Sequence, residues 1–63
     1  MNETVMDILK RMQDDLIGAI ADAKKFEENE NKAAGTRVTK TMQSIRKDAK
    51  DLRALIFHLK KEM

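Results

Sequence analysis

Cysteine, proline, tryptophan and tyrosine are all missing from this 63-residue chain, and glycine stands only at positions 18 and 35. Without cysteine there is no disulfide to staple so short a chain and no thiolate for a metal site, a usage that fits a reducing cytosol. No apolar run approaches the roughly 18 residues of a membrane span. The start, Met1-Asn2-Glu3-Thr4, lacks the basic and hydrophobic regions of a secretory signal. Two phenylalanines are the only aromatics, which removes the stacking platforms of single-strand and RNA-loop binders. What remains is mostly Ala, Leu, Ile, Met, Lys, Glu, Asp and Arg, and β-branched residues never alternate with polar ones over a strand length. That is helical composition.

The apolar residues carry a heptad rhythm. Val5, Leu9, Met12, Leu16, Ala19, Ala23 and Phe26 follow one another at spacings of 4, 3, 4, 3, 4 and 3. Val5, Met12, Ala19 and Phe26 take position d, and Leu9, Leu16 and Ala23 take position a. The second half repeats the pattern with Val38, Met42, Ile45, Ala49, Leu52, Ile56, Leu59 and Met63, and runs back through Gly35 and Asn31. The two registers do not join. Extending the first would put a at Glu30 and Arg37, whereas the second puts it at Gly35 and Met42, a slip of two residues. At about 100° per residue, one continuous helix would point its two seams in nearly opposite directions. Asn29-Glu30-Asn31 offers helix-ending and N-cap chemistry at the slip.

These features predict one all-α domain over residues 1–63, an antiparallel, coiled-coil-like two-helix hairpin. Helix one is expected over about residues 3–28, the turn over about 29–31 and helix two over about 32–62. Gly35, on the second seam, should face Ala23 or Phe26, either as a close helix approach or as a tolerated glycine costing roughly 1 kcal/mol. Met6, Ile8, Ile17, Ile20, Leu55 and Phe57 fall off the seam. A core this small rarely offsets chain entropy, so a homodimer forming a four-helix bundle is expected.

Catalysis has little to stand on. His58, the one histidine, falls at the solvent-facing position c without a Cys or Ser partner. Asp14 and Asp15 are adjacent and diverge on a helix. Glu27, Glu28 and Glu30 read as a solvated turn. No phosphate-cradling loop, zinc spacing or nucleotide fingerprint is present. No enzyme, metal site, cofactor or small-molecule substrate is expected.

Charge is the stronger signal. Residues 1–30 hold four Lys/Arg against eight Asp/Glu, and residues 31–63 hold nine against three, so a total of +2 hides an acidic arm and a basic one. Lys32, Arg46, Arg53 and Lys60 recur at position e and Lys40, Lys47 and Lys61 at f, a stripe roughly 40 Å long. Lys50 falls at b and Arg37 at c, while Asp48 and Glu62 fall at g. Such a row can follow a phosphate backbone, each contact releasing a condensed counterion and carrying no sequence information. Alternatively, cations at e pair with acids of the neighbouring helix and only set orientation. Asp7, Asp14, Asp15 and Asp22 of the first arm are placed to neutralise the stripe in that way.

The segment Asn31-Lys32-Ala33-Ala34-Gly35-Thr36-Arg37 resembles a signature of small bacterial histone-like proteins, those of the chlamydial linker-histone-like family. Ser44-Ile45-Arg46-Lys47 and Lys50-Asp51-Leu52-Arg53 are similar to that family's second helix, and the likeness spans about residues 5–60. The resemblance implies a nucleoid-associated protein that binds DNA without strong sequence preference. It makes Lys32, Arg37, Lys40, Arg46, Lys47 and Arg53 the candidate phosphate contacts, with Asn31 capping helix two. Chlamydial members continue into a Lys/Ala-rich tail, and this sequence resembles the tailless short forms. The full expected set is Lys32, Arg37, Lys40, Arg46, Lys47, Lys50, Arg53, Lys60 and Lys61 against double-stranded DNA in the cytoplasmic nucleoid, with no membrane partner. Two other readings stay open: a protein-interaction hairpin docking through Ile17, Ile20, Leu55 and Phe57, and an RNA-binding hairpin dimer.

Overall fold

The computed structural model describes residues 3–63 and consists of two helices, α1 over Val5–Asn29 and α2 over Lys32–Glu62, with no strand among the described residues. Met1 and Asn2, part of the N-terminal stretch considered above, lie outside the described residues. The helices fold back on each other as an antiparallel hairpin measuring 49 × 17 × 14 Å.

Local chemistry accounts for each helix end. Thr4 caps α1: its Oγ1 accepts the Asp7 N–H at 3.1 Å, while Asp7 Oδ2 accepts the Thr4 N–H at 3.1 Å. This reciprocal box satisfies two otherwise orphaned donors. The Thr4 N–H holds the Asp7 carboxyl below its ordinary value. At the other end Glu30 terminates α1 in the left-handed region, with φ 53° and ψ 37°. Asn31 then starts α2, its side-chain oxygen accepting the Ala34 N–H at 3.1 Å. The connection is thus only Glu30 and Asn31, the second of which already caps the next helix.

Left-handed backbone costs an L-residue about 1 kcal/mol or more, and glycine escapes that cost. Glu30→Gly is therefore expected to raise Tm by about 4 °C or more in a domain of this size. Glu30→Ala, which keeps the Cβ, gains nothing. Circular-dichroism melts of the two variants check this.

The seam itself differs from the heptad reading by one row on each helix. Val5, Met12 and Ala19 of α1 and Val38, Ile45, Leu52 and Leu59 of α2 face inward as the spacing predicts. Their inward companions are not row a, however, but row g. Ile8, Asp15 and Asp22 turn inward where Leu9, Leu16 and Ala23 were expected to lead. On α2, Ala34, Thr41, Asp48 and Leu55 do so in place of Met42 and Ile56. Ile8 and Leu55, expected off the seam, are therefore part of it. Ala23 and Ala49 stay half-buried at its edge.

Side-chain size explains the choice. Between Ile8 and Leu55 row g carries only the short side chains of Asp15, Asp22, Ala34, Thr41 and Asp48, and the residues most deeply buried with them are small, Ala19 at 4% exposure and Ala34 at 0%. Thr41 tolerates the inward position because its hydroxyl donates to the Arg37 carbonyl at 3.0 Å, four residues back. The consequence is a thin core and a displaced row a, with Leu9, Leu16, Met42 and Ile56 between 39% and 48% exposed. Near the turn, Gly35 sits under the Phe26 ring, and a Cβ there would lie 2.7 Å from Phe26 Cδ1. Close approach is thus what this glycine provides, and Phe26 is the residue that uses it.

Candidate nucleic-acid interface

Heptad rows lie roughly 50° apart around a helix. Moving the seam from rows a and d to rows d and g therefore turns α2 by that much against α1. Two effects follow. Row c swings toward the partner helix and row e swings away from it.

Row c supplies the two ion pairs that cross the seam. The Arg11 guanidinium donates to both carboxylate oxygens of Asp48, at 3.3 Å from Nε and 3.0 Å from Nη2, and also pairs with Glu3. Arg37 Nε donates to Asp22 Oδ1 at 3.1 Å. Both pairs join c on one helix to g on the other in the same antiparallel register, one running in each direction. Asp48 is the one buried charged residue among the described residues, at 7% exposure. The Arg11 hydrogen bonds hold its carboxyl below the ordinary range, and Asp48 and Glu3 together raise the pKa of the Arg11 guanidinium.

Row e meets no such partner. Arg46, Arg53 and Lys60, together with Lys40, Lys47 and Lys61 at f and Lys50 at b, are exposed and by their rows turned away from α1, whereas Lys32, also exposed, lines a groove with Ala23, Phe26 and Glu27 of α1. Among the described residues none of these eight has a carboxylate within ion-pair distance. Of the alternative in which acids of α1 pair with the cations of α2, the ion pairs among the described residues therefore include only Asp22 with Arg37. Asp22 pairs with Arg37, Asp7 serves the α1 cap, and Asp14 and Asp15 enter no ion pair among the described residues.

The nine expected contact residues thus divide into two groups. Arg37, engaged with Asp22 beside the seam, and Lys32, beside Phe26 and Glu27 at the turn, stand apart from the other seven. Arg46, Lys47, Lys50 and Arg53 line one shallow groove of α2. Lys50, Arg53 and Lys60 line the next, together with Phe57. Lys61 lies over the Phe57 ring, its Nζ 4.6 Å from the centroid. His58 stands in solvent near Glu62, Nε2 to Oε1 3.6 Å.

The arrangement offers a row of positive charge along α2, separated from the acidic arm by the width of that helix. No described residues gather into a group of three that could ligate a metal. No described helix is long and apolar enough to cross a membrane. The Arg11–Asp48 pair was not foreseen from the sequence. Its signal was present in the two arginines at c facing two aspartates at g in a single antiparallel register.

Neither a curated protein nor a solved structure matches the chain. The family model for Histone H1-like protein Hc1 does, over residues 6–62, which takes in both helices and the turn. The motif Asn31–Arg37 and the two basic segments of α2 lie inside that match, and the chain belongs to the histone H1-like Hc1 family.

Proposed function

We propose that this protein is a nucleoid-associated DNA-binding protein whose α2 lies along the phosphate backbone of double-stranded DNA. The observation that supports it is the set of seven cations on α2 that face away from α1 without carboxylate partners among the described residues. Arg46, Arg53 and Lys60 recur every seven residues, about 10 Å apart along the axis. Lys40, Lys47, Lys50 and Lys61 widen the strip to either side. Contacts of this kind go to phosphate oxygens and read no base edges, which fits packaging without sequence preference. The Histone H1-like description of the family points to the same partner.

If about five phosphates are engaged, log Kd should rise against log salt concentration with a slope of about 4 to 5. Fluorescence anisotropy on a mixed-sequence duplex at increasing salt measures it. A slope near zero rejects the reading, and tighter binding of structured RNA in competition reassigns the partner.

A second copy completes the proposal. Leu9, Leu16, Met42 and Ile56 belong to the same row on antiparallel helices, so they share one side of the hairpin, opposite the two Arg–Asp pairs. Covering that side face to face builds a four-helix bundle and leaves both α2 strips at its outer edges. One particle would then hold two stretches of duplex. The parent is expected to sediment at twice the 7.3 kDa chain mass and Leu16→Glu with Met42→Glu to halve it; a parent at the mass of one chain rejects the dimer, and a dimeric double variant places the contact elsewhere.

A further inference from the structure

Phe57 is the aromatic side chain that the hairpin does not use. Phe26 covers Gly35, whereas Phe57 stands at row b, opposite the seam, at 64% exposure. Four cations surround it on the same helix. Lys50 and Arg53 lie on the turns before it, and Lys60 and Lys61 on the turn after. Lys61 Nζ covers one face of the ring at 4.6 Å from its centroid. Phe57 also lines a groove with Lys50, Arg53, Ala54, Ile56 and Lys60, and Lys61 is not among the residues that line it.

Charge and shape together limit what can fill this groove. A second copy of the same patch would bring four positive charges against four. A neutral apolar peptide would desolvate the cations without pairing them, which is costly. Phosphate groups alone would satisfy the cations and leave the ring in water. An occupant that suits both parts is anionic on its flanks and flat and apolar between them. An unstacked nucleotide within a strand has that form: a base to lie on the ring and phosphates on either side for the lysines and Arg53. Low aromatic content excludes a platform for several stacked bases, but one ring is enough for one base.

We propose that Phe57, with Lys50, Arg53, Lys60 and Lys61, forms a subsite for an unpaired base and its flanking phosphates, so that the protein favours gapped or single-stranded DNA over intact duplex. The inference rests on α2 being the anion-binding surface, and it names the form of DNA that this end of α2 selects.

The test uses the full chain with three probes: an intact duplex, the same duplex with a single-nucleotide gap, and oligothymidylate. In the Phe57→Trp protein, indole emission is expected to be quenched by oligothymidylate and by the gapped duplex, and little by the intact one. Phe57→Ala should lose roughly tenfold in affinity for the first two while intact-duplex binding and its salt dependence stay as they were. Phe57→Leu, apolar but without a flat ring, should behave as Phe57→Ala does. Unquenched emission of the Phe57→Trp protein with oligothymidylate, or an equal loss on all three probes in Phe57→Ala, overturns the subsite. So does an emission shift with phosphatidylglycerol vesicles but not with oligothymidylate, which would make the patch a membrane contact. Unchanged indole emission beside a normal salt response on intact duplex defeats the subsite alone. Quenching by oligothymidylate without retention of intact duplex defeats the duplex reading and leaves the subsite standing.

Discussion

Reversing Arg46, Lys47 and Arg53 to glutamate should weaken binding to intact duplex by roughly a thousandfold or more at 0.1 M salt. Each phosphate contact released is worth about eightfold there, counted from a 1 M reference by counterion release. Three lost contacts multiply to several hundredfold, and the new carboxylates add repulsion from neighbouring phosphates. Position should matter more than net charge. Reversing Lys10, Lys24 and Lys25 on α1 changes the total charge by the same amount but leaves the strip on α2 intact. That control protein should lose far less affinity. Because the three α2 residues are exposed and make no ion pair among the described residues, circular dichroism and Tm should remain close to the parent. Equal weakening by the two triple variants would mean that overall charge, not the α2 strip, governs binding.

The largest stability effect is expected at the Arg11–Asp48 pair. Arg11→Met leaves the Asp48 carboxylate inside the seam without its donor, and uncompensated buried charge is costly. Tm should drop by more than for any row-e substitution. Arg11→Met combined with Asp48→Leu should recover much of the loss, because apolar groups that fit can replace a buried pair. If the double variant is no better than the single one, the arginine contributes by packing and not by pairing.

Acidity gives an independent check on the same pair. Hydrogen bonds from Arg11 lower the Asp48 pKa from its ordinary 3.8. A carboxylate with a lowered folded-state pKa binds fewer protons folded than unfolded, so it contributes stability above about pH 4. That contribution is lost as pH falls through the folded-state value. Asp7, lowered by the Thr4 cap, acts with the same sign. Melting temperature should fall from about pH 5 to about pH 2, and less steeply in Arg11→Met, whose aspartate has already lost its partner.

Much of this architecture can be read directly from residue order. The two-residue register slip and the Asn29-Glu30-Asn31 chemistry require two helices and a tight reversal. Gly35 on its seam anticipates the Phe26 contact. Half of the inward rows, those of Val5, Met12, Ala19, Val38, Ile45, Leu52 and Leu59, follow from the heptad alone. The other half does not. Ranking by hydrophobicity prefers Leu16 and Met42 to Asp15, Thr41 and Asp48. Close packing ranks them differently, because row g carries short side chains between Ile8 and Leu55 and two arginines at c neutralise aspartates at g. The difference is only one row, yet it decides the site. With rows a and d facing inward, Arg46 and Arg53 would flank the acidic arm. With rows d and g facing inward, they point away from it.

The brevity of the turn bears on how copies of this chain can go wrong. Two residues, Glu30 and Asn31, separate the helices, and giving both helical torsions would merge α1 and α2 into one rod. Hairpins with so short a hinge are prone to exchange arms between molecules. In this chain the register slip works against exchange. A merged rod would carry its two apolar stripes on nearly opposite sides, and no single partner rod can lie along both. The same offset that makes the chain reverse also keeps each arm paired within its own molecule.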